Sequence, residues 1–359
     1  MGQVVTIGLD IAKSVFQVHG VDVEGVVVIR QKLTRARLLP FFAKLEPCLV
    51  GIEACGASHH WARELTKLGH EARLMPPSYV KPYLKRQKND MADAEAICEA
   101  VTRPTMRFVP VKSPEQQGVM VLHRTRLVLT RQRTQLSNAI RGHMAEFGLT
   151  AAIGREGLGK LIAVILDGAD ERVTREARVC LTMLVDQLRL VNLQILENDR
   201  LIRTNARATE AGRRLMEIPG VGPLLASAMV AAVADPTAFK TGRNLAAWIG
   251  LVPRQNSSGG KERLGGITKQ GDRYLRQLLV VGALAVVRYA QRNGTRRPWL
   301  VQLLARRTPK VAAVALANKN ARMIWAIMTA ASATGSRSRL RDRPGAMPRP
   351  MNLGRADEM

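Results

Sequence analysis

The first hundred residues alternate between strand and helix signals in a set order, and that order limits the folds open to them. Residues 4–10, 14–20 and 23–31 read as three consecutive strands, the first two meeting near Ala12-Lys13. A helix at 34–45, a strand at 48–53, a helix around 60–68 and a short strand at 71–75 follow. Pro76, Pro77 and Pro82 then punctuate the chain, and a helix from Asp90 to Val101 is stopped at Arg103-Pro104.

Three strands, helix, strand, helix, strand, helix is the sequence of a RuvC-like (ribonuclease-H-like) α/β fold. In that fold the catalytic acids come from the first strand, the fourth strand and a late helix. Here Asp10 closes the first strand, Glu53 closes the fourth, and Asp90 and Asp93 stand three apart at the start of the last helix, on one face. Carboxylates held at strand ends and a helix start suit a divalent-metal site for phosphodiester chemistry. They stand out because the rest of the chain is basic: 55 Lys and Arg against 29 Asp and Glu give a formal charge of +26.

That balance, with a pI near 11.1, favours a phosphate-backbone partner whose binding weakens as salt rises. Aromatic residues are 4% of the chain, which argues against recognition by base-stacking platforms. Cys48, Cys55, Cys98 and Cys180 form no CxxC pair and no zinc spacing with the histidines, so free thiols in a reducing compartment are expected. Charged residues at Asp10 and Lys13 interrupt the opening apolar run, and the apolar stretch at 278–287 is too short to span a bilayer. The expectation is a soluble cytoplasmic protein with no membrane partner.

Beyond residue 105 the pattern turns helical, at 113–147 and again at 172–204, with a hinge at 148–159. Leu181, Leu184, Leu188, Val191, Ile195 and Ile202 keep a three-four spacing broken at Asn198, as in an antiparallel helical hairpin or a dimerising coiled coil. The first helical stretch carries Arg124, Arg126, Arg131, Arg133 and Arg141 with few acids to balance them. Arg124 and Arg131 are the candidates for nucleic-acid contact; a solvated face is the alternative. A mostly α domain begins near Leu215. In it Ile218-Pro219-Gly220-Val221-Gly222-Pro223 precedes an apolar helix, the pattern of a helix-hairpin-helix backbone reader in which Gly220 and Gly222 permit the turn and amides meet phosphate. The expected domains are therefore 1–104, 105–210 and 211–331, with a disordered basic tail at 332–359.

A second chemical cluster runs from Gly250 to Lys261. Serines on a glycine-flanked loop, among Arg254, Lys261, Arg263, Lys269, Arg273 and Arg276, can serve as nucleophiles toward phosphorus, with the cations stabilising the charge that develops. A loop that only grips the DNA backbone would use the same residues. No histidine lies in the segment to act as general base.

Three acidic motifs, Gly8-Leu9-Asp10-Ile11-Ala12-Lys13, Gly51-Ile52-Glu53-Ala54-Cys55-Gly56 and Lys88-Asn89-Asp90-Met91-Ala92-Asp93-Ala94, resemble those of the IS-one-ten type of bacterial insertion-sequence transposase, a family that includes the Piv DNA invertase. Ile218-Pro219-Gly220-Val221-Gly222, Gly250-Leu251-Val252-Pro253-Arg254, Ser257-Ser258-Gly259-Gly260, Gly265-Gly266-Ile267-Thr268-Lys269 and Tyr274-Leu275-Arg276 resemble the family's second domain, and the likeness runs from about residue 4 to 330. The resemblance implies a RuvC-like DEDD domain, a coiled-coil linker domain and a C-terminal transposase domain. It implies Mg2+ held by Asp10, Glu53, Asp90 and Asp93, and a nucleophilic Ser258, with Ser257 as the fallback, forming a phosphoserine link to DNA in a site shared with the acids. It also implies double-stranded DNA partners (element ends and target), a structured guide RNA encoded by the element, and a dimer or tetramer in the bacterial cytoplasm at the nucleoid. A RuvC-like junction-resolving nuclease using water as nucleophile is the alternative.

Overall fold

The computed structural model describes residues 2–85, 89–294 and 297–341, the last ten of these by their backbone alone. The chain divides into two compact units, Met1–Gly118 and Val119–Met359.

The first unit is built on a five-stranded sheet in the order β3-β2-β1-β4-β5, from β1 (Thr6–Ile11), β2 (Val15–Val21), β3 (Val27–Thr34), β4 (Leu49–Glu53) and β5 (Glu71–Met75). β2 pairs antiparallel with both β1 and β3, while β4 is parallel to β1 and β5 parallel to β4. The helices are α1 (Arg35–Phe42), α2 (Ser58–Lys67), the short α3 (Pro77–Val80) and α4 (Asp90–Val101). The interior strands read as near-continuous apolar runs because both faces are covered. Ile7, Leu9, Phe16, Val18, Val50, Ile52, Trp61 and Leu65 form one core, and Met75, Val80, Ile97 and Val101 form another.

The third strand and the first helix differ from their sequence-based spans, the strand ending at Thr34 instead of residue 31. The third strand starts at Val27 and not at residue 23, because residues 22–26 form a turn. Asp22 Oδ1 accepts from Val26 N at 2.8 Å, Gly25 N donates to Asp22 O at 3.1 Å, and Gly25 takes φ 83°. The first helix ends at Phe42, three residues earlier than its sequence pattern suggests. Beyond it, Phe42 O accepts from the buried His70 Nε2 at 3.0 Å, while His70 Nδ1 accepts from Cys48 N at 3.3 Å.

The second unit is helical: α5 (Pro114–Glu146, its first residues in the first unit), α6 (Arg155–Leu166), α7 (Arg175–Ala208), α8 (Glu210–Met216), α9 (Pro223–Ala232), α10 (Gly242–Ile249), α11 (Arg273–Asn293), α12 (Pro298–Arg306) and α13 (Pro309–Arg341). A two-stranded ribbon of β6 (Pro253–Gln255) and β7 (Leu264–Ile267) lies between α10 and α11. The hinge expected at 148–159 is shorter, since α6 begins at Arg155. The Arg178 guanidinium donates to Val164 O and Ile165 O, both at 2.8 Å, and also to Asp167 O, so the end of α6 is capped from α7. The tail expected to be disordered from 332 is helical through Arg341, as no proline interrupts α13 after Pro309 in this stretch; residues 342–359 lie outside the described residues.

The three-four seam of α7 is covered within the chain itself. Leu181, Val185 and Leu188 meet Ile140, Met144, Leu161 and Ile165 in one cluster, and Val191, Ile195, Asn198 and Ile202 are buried further along. The opposite face is also apolar and is not covered: Leu190, Leu193 and Leu196 are 56%, 64% and 62% exposed. With apolar residues on both faces, α7 is the one helix among the described residues long and apolar enough to cross a membrane, with a mean hydropathy of 1.4 over its most apolar stretch.

Four helices of this unit share a buried polar chain. Ser227 Oγ donates to Asn205 Oδ1 at 3.0 Å, which leaves its oxygen to accept from His123 Nε2 at 3.1 Å. Nδ1 then accepts from the Tyr274 hydroxyl at 3.0 Å. Burial, aided by Arg126, lowers His123 to about 4, which matches the neutral tautomer this order of donors requires.

Candidate functional site

β1 and β4 run parallel with Leu9 opposite Ile52, so the next residues along, Asp10 one residue short of the end of β1 and Glu53 at the end of β4, come to the same end of two adjacent interior strands. α4 supplies the remaining acids. Its N-cap Asn89 accepts from Ala92 N at 2.8 Å, and Asp90 and Asp93 occupy the first turn, where the helix dipole tolerates negative charge. Lys88, part of the same motif, lies outside the described residues.

Asp10, Asp90 and Asp93 each offer a carboxylate oxygen, and these oxygens all lie within 4.8 Å of one another. Asp10 and Asp93 are half-buried and Asp90 is exposed. Glu53 is not one of that close trio. Its charge still reaches Asp10, whose carboxyl is pushed up to about 6 first by burial and then by Asp93, Asp90 and Glu53, against a backbone hydrogen bond from Ile11. Three converging carboxylates are mutually repulsive, and oxygen donors of this kind fit hard divalent cations such as Mg2+, Mn2+ or Ca2+.

The turn after Asp10 has a support that the sequence does not advertise. Arg35 stacks its guanidinium over the rings of Phe16 (5.6 Å) and Trp61 (5.2 Å) and donates from Nη2 to Lys13 O at 3.1 Å. The first and last of the three partners, Lys13 and Trp61, are 48 positions apart in the chain, so only the fold joins them.

The serine segment forms the tip of the β6–β7 hairpin. Pro253 pairs with Ile267 and Gln255 with Leu264, Asn256 N donates to Arg263 O at 2.9 Å, and Lys261 N donates to Ser258 O at 3.1 Å. Gly259 (φ 56°) and Gly260 (φ 76°) occupy the two central positions of the Ser258–Lys261 turn, where a positive φ at both excludes most other residues. The two serines differ. Ser257 Oγ accepts from Arg263 N at 3.1 Å and ties the strands together, whereas Ser258 stands exposed at the first turn position. Arg254, Lys261, Arg263 and Lys269 are exposed too, and Lys269 is the one non-glycine among the described residues with positive φ (58°). Arg276 is held locally: Nη1 donates to Ile249 O at 2.8 Å and Gln270 O at 2.9 Å, fixing the foot of the hairpin.

Gly220 and Gly222 sit in the α8–α9 connection. Gly220 takes φ 91° and presses against α11, where an added Cβ would lie 2.9 Å from Gly282 O, and Asn320 Nδ2 donates to Pro219 O at 3.0 Å. The turn is thus anchored from within the unit, and Gly222 is exposed, as is Pro219. On α5, Arg126 pairs with Asp199 at 2.6 Å, and Arg141 donates to the carbonyls of Ala151, Ala152 and Gly154. Arg124 and Arg131, two turns apart, are exposed.

Comparison with known proteins brings these features together. The family described as "Transposase IS116/IS110/IS902 family" matches residues 212–297, and the "DEDD_Tnp_IS110" transposase domain matches residues 7–148. The chain is 50% identical to the "Probable family 20 transposase" of Pseudomonas aeruginosa, over 90% of this chain and 96% of that one. It is 41% identical to the transposase for insertion sequence element IS1111A of Coxiella burnetii, over 92% of this chain and 91% of the relative. Against the transposase for insertion sequence element IS1328 of Yersinia enterocolitica the identity is 37%, over 92% and 98%.

Proposed function

The chain belongs to the IS116/IS110/IS902 family of insertion-sequence transposases, and from that premise we propose that it cuts and rejoins DNA by metal-assisted phosphoryl transfer with Ser258 as nucleophile. The observation that carries the reading is the convergence of carboxylate oxygens of Asp10, Asp90 and Asp93 within 4.8 Å of one another at the end of a central strand of a mixed sheet. The strand order β3-β2-β1-β4-β5, with the acids on the first strand and the last helix of the unit, supports a RuvC-like reading of this fold.

Asp10, Asp90 and Asp93 would hold Mg2+, with Glu53 as the fourth acid, and the cation when bound would polarise the scissile phosphate. Ser258 is the better placed of the two serines to attack, since its neighbour's hydroxyl is engaged in the hairpin. In the attack an Oγ–P bond forms as the P–O bond to the leaving sugar oxygen breaks; the serine loses its proton and the sugar oxygen gains one. Attack of another strand's hydroxyl on the phosphoserine reverses this exchange, so one phosphodiester replaces another and no nucleotide cofactor is consumed. Exposed Arg254, Lys261, Arg263 and Lys269 would neutralise the backbone phosphates, with Arg124, Arg131 and the turn at Gly222 as further contacts.

The partners in this reading are the element's ends, a target duplex and a structured RNA that the element encodes. A charge of +26 with aromatic residues at 4% suits backbone binding, with sequence choice left to base pairing. The work would take place in the bacterial cytoplasm, at the nucleoid. Two copies are needed to hold two duplexes, and the uncovered face of α7 is suited to pairing with itself. In an antiparallel pair centred on Leu193, Leu190 meets the other copy's Leu196, and the charged residues flanking them also match: Asp186 meets Arg200, and Arg189 meets Glu197.

The test is recombination on a plasmid carrying the element's ends, run with Asp10→Asn and Ser258→Ala separately. Both should be inactive, and wild type alone should leave a covalent protein–DNA adduct. Adduct formation by Ser258→Ala would remove the serine assignment. Cutting without an adduct by that variant would point to water as the nucleophile.

A further inference from the structure

α4 reaches the acids of the sheet only because the surface beneath it lacks side chains. Gly8 on β1 and Gly51 on β4 are direct cross-strand neighbours, and both are buried. A Cβ on Gly8 would fall inside the van der Waals shells of Ala94 O and Cys98 N and lie 2.8 Å from Cys98 Cβ. A Cβ on Gly51 would lie 2.7 Å from Val101 Cβ and 3.1 Å from Met75 Cε. Under Gly8 the nearest atoms are helix backbone, which cannot rotate aside, so any side chain there must lift α4 from the strand. The helix that would be lifted carries Asp90, one turn before the contact at Ala94, and Asp93, next to it, while Asp10 stays on the strand two residues beyond Gly8.

We propose that Gly8 is a positioning residue for the acidic site: its missing side chain sets the distance between β1 and α4, and with it the spacing of Asp10 from Asp90 and Asp93. The proposal rests on the reading of these acids as a divalent-cation site. Lifting the helix by the size of a methyl group would leave the strand pairing of the sheet in place but spread ligands that must converge on one ion. Crowding the same contact from the helix side should do the same, and relieving it should not.

Mn2+ titration of the full-length protein, followed by thermal unfolding, tests this. Wild type should rise in Tm with Mn2+. Gly8→Ala and Cys98→Val, which enlarge opposite sides of one contact, should each need roughly tenfold more Mn2+ for the same rise, of the size seen when metal-site supports are altered. Cys98→Ala, which removes bulk, should keep the wild-type midpoint. Should Gly8→Ala fail to fold, Cys98→Val decides. A metal-free arm separates the positioning role from the cation reading. In EDTA, Asp10→Asn relieves repulsion within the trio and raises Tm, and that gain should fall by at least half in the Gly8→Ala or Cys98→Val background. An unchanged Mn2+ midpoint together with an unchanged Asp10→Asn gain overturns the positioning role. A wild type indifferent to Mn2+ whose Asp10→Asn gain still shrinks keeps the role and removes the cation reading.

Discussion

Asp10 is held at a cost to the metal-free protein, and replacing it should make that protein more stable. Its carboxyl is raised from 3.8 to about 6 by burial and by Asp93, Asp90 and Glu53. Folding therefore favours the protonated acid. The penalty is absent below about pH 4, grows as pH rises through the interval to about 6, and is complete above it. Each factor of ten in acid strength is 1.36 kcal/mol, so the ceiling is about 3 kcal/mol. Asp10 is half-buried, and solvent screening reduces this to about 1–2 kcal/mol. Asp10→Asn keeps the shape and removes the charge. At pH 7.5 in EDTA it should raise Tm on the order of 5 °C for a domain of this size, and the difference should vanish near pH 4. Mg2+ or Mn2+ should then stabilise wild type and leave the variant unmoved. A variant less stable than wild type at pH 7.5, or a gain of equal size at pH 4, would refute the account of the trio as mutually repelling charges.

Arg124→Ala and Arg131→Ala should each weaken DNA binding across all sequences, and each should reduce the slope of log affinity against log salt by about 1; a filter-binding salt series measures this. His123, lowered to about 4 by burial, acts in the opposite sense to Asp10. The stability it contributes is full above about pH 6.5 and is lost as pH falls toward 4, so His123→Gln should flatten unfolding curves of the second unit in that interval. Leu193→Glu, at the centre of the uncovered α7 face, should shift the protein toward monomer in sedimentation while leaving its helical circular dichroism unchanged; an unaltered assembly state would exclude that face as the seam.

The alternation of β1 to β5 with their helices was legible because each interior strand is a run of apolar residues between polar breaks. Asp10 and Glu53 stood out because they close such runs, and Asp90 and Asp93 because they open α4. The 3.6-residue period on α7 was also readable, but not which of its two apolar faces the chain would cover. Leu181 and Leu188 meet Ile140, Leu161 and Ile165, partners up to about 48 residues away. The roles of Arg35, Arg178 and Arg276 were hidden for a related reason. A guanidinium that caps carbonyls or stacks on rings has the same composition signature as one that binds phosphate, and only the fold tells them apart. Of the arginines on α5, Arg141 caps carbonyls in this way, and Arg126 is held in an ion pair with Asp199. Gly8 stands in the same motif as Asp10, yet its own contribution depends on a helix that begins 82 positions later, which no local pattern reveals.

The charge of the whole chain and the charge of the site pull in opposite directions, and the order of assembly follows from that opposition. Exposed arginines and lysines attract a duplex over distances set by the Debye length, about 8 Å at physiological salt. The Asp10, Asp90 and Asp93 trio repels a phosphate at contact. On the proposed reading, metal-free protein therefore binds DNA through its exposed basic residues, while the acids repel the scissile phosphate. Neutralising the trio removes the repulsion and the penalty on Asp10 together, so cation and DNA each favour the other's binding, as linkage requires. The same coupling explains why protonating Asp10 is no substitute: below about pH 6 the repulsion falls, but the ligand is lost with it.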